Sequence, residues 1–173
     1  MKIDHRQDFI HHPALGSMDA FYVEGGMPYL RTKQLKLGAL PFEAVLTIWT
    51  DPENPSDIAL KGAVDLVNSD VAFRTEVERR FFDDYNDVTR AEYLEYANDP
   101  AYGITPEMLP TIERHEQVWS IFHPLQHAAS IHEPNDMYPS DVAEVVLSFG
   151  VSFDKEHDLQ ITFKDGKFFE LTR

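Results

Sequence analysis

A strict alternation of apolar residues near the end of the chain constrains the fold more than any other sequence feature. Five apolar side chains recur at every second position, with Val146, Ser148, Gly150 and Ser152 between them; the five are Val145, Leu147, Phe149, Val151 and Phe153. Successive side chains of a β-strand point to opposite faces, so this period of two places the five on one face of a strand. That face needs a cover of other apolar side chains.

Two further strands are predicted to follow this one. The acidic residues 154–158 are expected to form a turn that reverses the chain into an apolar alternation over residues 159–163. Asp165 and Gly166 then favour a tight hairpin, because this pair accepts the two positive φ angles of such a turn. Residues 141–171 therefore predict an antiparallel β-meander.

The middle of the chain supplies the cover for the meander. Residues 42–50 are apolar at both alternating sets of positions, which predicts a central strand. Ser56 is a predicted N-cap, and residues 60–67 and 73–85 carry apolar side chains at helical spacing. The sequence thus predicts a single α+β domain over residues 1–173, an antiparallel sheet of about six strands with helices packed on one face.

A third amphipathic helix is expected over residues 112–122, followed by a short strand at 128–132. His123 and His127 have the spacing of helical zinc ligands. However, Pro124 follows the first histidine directly, and the glutamate of the zinc protease motif is missing. We therefore interpret these histidines as solvated or hydrogen-bonded side chains and not as metal ligands.

The charge narrows the classes of partner. Thirty acidic residues against fifteen basic residues give a formal net charge of -15, which repels nucleic acid phosphates and anionic lipid headgroups. We therefore expect no nucleic acid and no membrane partner. The charge serves either solubility alone or the attraction of a basic protein partner or a metal ion. The chain has no cysteine and no apolar run of membrane-spanning length, which predicts a cytoplasmic protein.

Sequence motifs of catalysis are not found. The chain contains no G-x-S-x-G nucleophile motif, no G-x-x-x-x-G-K phosphate loop and no G-x-G-x-x-G dinucleotide motif. We assign no catalytic residue and no required cofactor, and the sequence favours a protein that is not an enzyme.

The densest acidic cluster is the candidate contact patch for a basic partner, and it comprises Asp83, Asp84 and Asp87. A helix-hand calcium loop beginning at Asp84 fails, because Thr89 stands where that loop needs glycine. Just after the cluster, Thr89 and Glu92 have the spacing of a capping box, which predicts a new helix there.

A calcium site is the alternative function. Its candidate ligands are the carboxylates of Asp154, Glu156 and Asp158, which lie close together in the predicted acidic turn. Carboxylate oxygens are the ligands that calcium prefers. The acidic cluster from Asp83 to Asp87 is the other set of candidate calcium ligands.

The stretch from Phe153 to Lys167 resembles the ending of a group of small bacterial domains of unknown function. In those domains an aromatic-Asp-x-Glu-His-Gly-Leu turn precedes a strand and an Asp-Gly-Lys hairpin; here Asp158 stands in place of the glycine. His12 to Gly16 and the helix start at Ser56 are similar to the front of the same domains. The resemblance implies an immunity partner of a secreted toxin, as suspected for some similar proteins, or calcium binding, as in a related cyanobacterial class.

Overall fold

The computed structural model describes residues 3–4, 9–97, 99–134 and 139–173. Its strands are β1 Ile3–Asp4, β2 Phe9–His12, β3 Gly16–Val23, β4 Tyr29–Lys36, β5 Glu43–Trp49, β6 Phe122–His132, β7 Glu144–Val151, β8 Asp154–Lys164 and β9 Lys167–Thr172. The helices are α1 Asp57–Val67, α2 Val71–Asp84 and α3 Arg90–Tyr96, with a π-helical segment Tyr85–Thr89 between α2 and α3. Two 3₁₀ turns, Pro106–Met108 and His115–Ser120, precede β6.

The strands form one sheet in the order β1-β3-β4-β5-β6-β7-β8-β9, with β2 also paired to β3. All pairs are antiparallel except β5 with β6, which run parallel. A parallel pair needs a long crossover, and the three helices lie in the connection between these two strands. The predicted α+β class is confirmed.

The predicted count of about six strands is too low, because the described residues contain nine strands. The sequence prediction missed β4 in particular. The register of β4 against β5 shifts between Arg31 and Gln34, and this irregularity breaks the period-two pattern by which strands are recognised.

The core lies between the helices and one face of the sheet. The central strands contribute Leu46, Ile48, Leu147 and Ile161, whose side chains are fully buried. Helix α1 packs very close to this layer: a Cβ atom added at Gly62 would lie 2.7 Å from the Cβ atom of Ala143. Glycine at this position therefore allows the helix to approach the chain that leads into β7.

The C-terminal meander is present as β7, β8 and β9, but its first turn is not at residues 154–158. Val151 pairs with Asp154, so the chain reverses at Ser152 and Phe153, and the acidic residues begin β8 instead. Phe153 continues the apolar alternation in the sequence, but in the structure it lies in the turn, where its side chain is buried. The hairpin prediction is confirmed, since Asp165 has φ 52° and Gly166 φ 68°.

The prediction of a helix over residues 112–122 is wrong. The chain forms a short 3₁₀ turn, His115–Ser120, and enters β6 at Phe122. Pro124 cannot donate to a helical backbone, and its ring disfavours helix for the residue before it, so the chain is extended from this point. His123 and His127 consequently lie on a strand, not on a helix.

Within the described residues, no helix is long and apolar enough to cross a bilayer.

Candidate functional site

A groove with a volume of about 670 Å³ lies between α3 and the start of β8. Its polar and aromatic lining consists of Glu92, Tyr93, Tyr96, Tyr102, Ser152, Phe153, Asp154 and His157. We call this feature the tyrosine groove. Ligand sites are commonly concave, with aromatic walls and a few converging polar groups, and the groove has these properties.

The three tyrosines form an aromatic path from the core to the surface. The Tyr93 ring packs on the buried Phe153 at a centroid distance of 4.8 Å, and Tyr96 lies 6.2 Å from Tyr93. Tyr102 continues the path at 5.0 Å from Tyr96. Tyr96 is 38% exposed and Tyr102 is 58% exposed, so the outer end of the path offers aromatic surface to a partner.

Asp154 is the polar centre of the groove. Its Oδ2 atom accepts a hydrogen bond of 2.5 Å from the Tyr93 hydroxyl and lies 3.1 Å from Nδ1 of His157. Its Oδ1 atom accepts from the backbone N–H of His157 at 3.0 Å. The side chain of Asp154 is 12% exposed. These contacts hold the carboxylate in one orientation at the inner end of the groove.

The ionisation of Tyr93 follows from this environment. Burial raises the pKa of Tyr93 above its ordinary value, and the hydrogen bond to Asp154 and the charge of that carboxylate raise it further. Tyr93 therefore keeps its proton at neutral pH. It acts in the groove as a hydrogen-bond donor and not as a base.

Arg173 connects the groove to the predicted contact patch. Its guanidinium donates to the carboxylate of Glu92, on the groove wall, and to Oδ1 of Asp84 at 3.3 Å. The other carboxylate oxygen of Asp84 accepts from the hydroxyl of Thr89. Glu92 and Asp84 thus lie on one continuous surface, and both carboxylates pair with the guanidinium of Arg173.

The expected capping box is wrong. Thr89 makes no capping contact, because the helical chain runs on without a break from α2 through the π-helical segment into α3. The π turn is held from outside: the Tyr85 hydroxyl donates to the carbonyl of Pro110 at 2.9 Å, and Asn86 donates to that of Ile112 at 3.3 Å. Burial raises the pKa of Tyr85 to about 12, so this donor also stays protonated.

The spacing of buried residues along the helical stretch is a sequence signal for the π turn. The buried residues Val77, Phe81, Tyr85 and Thr89 are spaced by four. An α-helix of 3.6 residues per turn drifts by about 40° at each such step, and a wider π turn corrects that drift. The π turn therefore keeps all four residues on the core side of the helix. It also sets the direction of the neighbouring side chains of Asp83, Asp84 and Asp87.

The structure places the three predicted contact residues on this helical stretch. Asp83 and Asp87 are exposed. Asp84 is half-buried and engaged with Thr89 and Arg173. The patch therefore consists of two exposed carboxylates and of Asp84, which is paired with the guanidinium of Arg173. Their role in binding stays a prediction.

The candidate calcium ligands are distributed differently. Asp154 lies in the groove with both oxygens hydrogen-bonded, and Asp158 is exposed on β8. The side chain of Glu156 lies outside the described residues. Among the side chains that the structure describes, no group of three or more acidic or histidine residues is arranged to hold a metal ion. The calcium site stays a prediction.

A second titratable cluster, away from the groove, surrounds the buried Glu78 of α2. Its carboxylate accepts from Arg74 Nε at 2.6 Å and Trp119 Nε1 at 2.5 Å, and lies 3.1 Å from Nδ1 of His115. Burial raises the pKa of Glu78, but the hydrogen bonds from Trp119 and Arg74 and the charge of Arg74 outweigh burial and hold the pKa below its ordinary value. This cluster fastens α2 to the 3₁₀ turn His115–Ser120.

The comparison with family models matches residues 25–172 to the family described as a domain of unknown function (DUF6985). The chain belongs to the DUF6985 family. No curated protein and no solved structure matches the chain. This match agrees with the expectation of a domain-of-unknown-function family. The part of the chain that matches DUF6985 contains every residue of the tyrosine groove and the patch of Asp83, Asp84 and Asp87, whereas Arg173 lies just beyond it.

Proposed function

We propose that this DUF6985 protein is a single-domain, non-catalytic interaction module that binds a basic protein partner. The contact surface comprises Asp83, Asp84 and Asp87 together with the tyrosine groove, and we call it the acidic-aromatic surface. The observation that carries the proposal is the position of Arg173, whose guanidinium binds Asp84 and Glu92 at once. The surface thus already accommodates a basic side chain between its two parts.

The charge of the chain supports this class of partner. A net charge of -15 draws basic proteins toward the surface over roughly a Debye length and repels polyanions. Exposed carboxylates beside exposed aromatic rings provide both the attraction and the apolar contact area that a protein interface needs. The cysteine-free sequence fits a reducing compartment, and we place the interaction in the cytoplasm.

The groove chemistry favours binding over catalysis. A general base needs a pKa near the working pH, and Tyr93 is shifted in the opposite direction. Both oxygens of Asp154 accept hydrogen bonds from the protein itself, so this carboxylate is held as a structural acceptor. A secreted toxin with a basic surface is the narrower form of the proposal. That form is supported by the sequence resemblance.

A direct test measures the affinity of the full chain for a fluorescent oligo-arginine peptide and for an oligo-lysine peptide of equal length, about ten residues each. We expect both to bind, and the affinity to fall as ionic strength rises from about 0.01 to about 0.15 M. The triple variant Asp83→Asn, Asp84→Asn, Asp87→Asn should weaken binding about tenfold, because it removes three ion pairs with the peptide of about 0.5 kcal/mol each.

The matched control is the triple variant Glu24→Gln, Glu43→Gln, Glu53→Gln. It removes the same charge from exposed positions in the β3 to α1 part of the chain. If the two triple variants weaken binding equally, the attraction is a property of the net charge alone and the acidic-aromatic surface is not the contact. If neither peptide binds the wild-type chain, the proposed function is wrong.

A further inference from the structure

We infer that the tyrosine groove is a binding site for an arginine side chain of the partner, with its guanidinium against the rings of Tyr96 and Tyr102. This inference rests on the proposed function and deepens it, because it assigns the groove a ligand of defined chemistry. The negative charge of the surface attracts any basic group, whereas the groove would select arginine.

The aromatic rings provide the first part of the site. The rings of Tyr96 and Tyr102 lie 5.0 Å apart with their planes tilted by 40°, and they remain 38% and 58% exposed at the outer end of a groove that Tyr93 also lines. The face of a tyrosine ring carries negative electrostatic potential, which attracts a cation placed within about 6 Å of the ring centre. The rings therefore favour a positively charged group over a neutral one.

The carboxylates provide the second part. Glu92 lies on the groove wall with its side chain 46% exposed, so it can form an ion pair at the mouth of the groove. Asp154 lies at the inner end, and its charge adds to the negative potential although its oxygens already accept hydrogen bonds. A cation on the tyrosine rings is thus placed near two carboxylates, of which Glu92 also pairs with Arg173.

The geometry favours arginine over lysine. A guanidinium is planar, so it can lie flat on an aromatic ring while its edge donates to a carboxylate, whereas an ammonium is a compact, strongly hydrated point charge. Arg173 shows that Glu92 accepts a guanidinium in this chain. The groove volume of about 670 Å³ lies within the range of pockets that enclose a ligand, and it leaves room for the long arginine side chain.

The experiment compares the same oligo-arginine and oligo-lysine peptides on variants of the two exposed rings. The variant Tyr96→Ala, Tyr102→Ala should weaken oligo-arginine binding about threefold to tenfold, and should weaken oligo-lysine binding less. The variant Tyr96→Phe, Tyr102→Phe keeps the rings and should bind oligo-arginine as the wild-type chain does. Circular dichroism on each variant verifies that the fold is retained.

Phe169→Ala is the matched control for loss of an exposed ring. Phe169 is 52% exposed and lies on β9, outside the groove lining. We expect this variant to bind oligo-arginine unchanged. A double alanine variant that binds oligo-arginine no worse than Phe169→Ala overturns the arginine site. Equal loss of oligo-lysine and oligo-arginine binding also overturns it. Either result leaves the proposed function intact, because that function is tested by peptide binding to the wild-type chain and by the triple variant of Asp83, Asp84 and Asp87.

Discussion

The hydroxyl of Tyr93 donates a hydrogen bond of 2.5 Å to Oδ2 of Asp154, a residue 61 positions further along the chain. This bond joins α3 to the first residue of β8 and closes the inner end of the tyrosine groove. The groove is therefore formed by a tertiary contact between a helix and a strand. Its shape depends on that contact being kept.

Replacing Tyr93 with phenylalanine should remove this hydrogen bond and retain the ring. We expect a loss of about 1 to 2 kcal/mol in the free energy of unfolding, because the bond is made to a charged acceptor. Urea denaturation measures the loss. Tyr102→Phe is the control, since Tyr102 is 58% exposed, and it should change the free energy by less than about 0.5 kcal/mol. Equal effects of the two substitutions would contradict a stabilising role for the Tyr93 bond.

Replacing Glu78 with glutamine should destabilise the protein by about 2 kcal/mol, because three donors would lose a buried charged acceptor. Glu76 offers a matched control on the same helix. It pairs with Arg79 at 2.6 Å and Arg80 at 2.7 Å, but its side chain is 30% exposed. Solvent screens such a pair, so Glu76→Gln should cost at most about 1 kcal/mol. Thermal and urea unfolding of both variants give the comparison.

The same carboxylate should make stability depend on pH. The pKa of Glu78 is lowered in the folded protein, so its stabilisation is fully present above the pKa of an unfolded glutamate, about 4.3. It is lost as the pH falls through the lower folded value. We expect the stability difference between wild type and Glu78→Gln to be constant from about pH 6 to 8 and to shrink below about pH 4. A difference that grows in acid would contradict this sign.

Calcium should have little specific effect on stability. Both oxygens of Asp154 already accept hydrogen bonds, from Tyr93 and His157, so binding a cation there would break contacts within the protein. We expect calcium and magnesium to raise the melting temperature slightly and equally by screening the net negative charge. A saturable rise with calcium alone would instead support the calcium-binding alternative, because a ligand of the folded state stabilises it by mass action.

Local patterns in the sequence predicted several elements correctly. The apolar alternation of β7, the N-cap at Ser56 and the positive φ angles at Asp165 and Gly166 are set by neighbouring residues, and all three agree with the structure. Asp70 caps α2 in the same way, where the sequence pattern had indicated a break between two helices. Short-range chemistry was sufficient for these features.

Features that depend on distant residues were not predictable from these patterns. The acidic turn was misplaced because Phe153, which belongs by its pattern to a strand, is buried in the turn against Tyr93. The tyrosine groove has no signature in the sequence, since Tyr93 and Asp154 meet only through tertiary packing. Arg173 was likewise not singled out, because its partners Asp84 and Glu92 lie on a distant helical stretch.

The most direct test of the account is an NMR titration of the isotopically labelled full chain with the oligo-arginine peptide. We expect the largest amide shift changes on residues 83–96 and 101–104, and no change on β3 and β4. Changes centred on Glu24, Glu43 and Glu53 would contradict it, because binding would then use a different acidic surface.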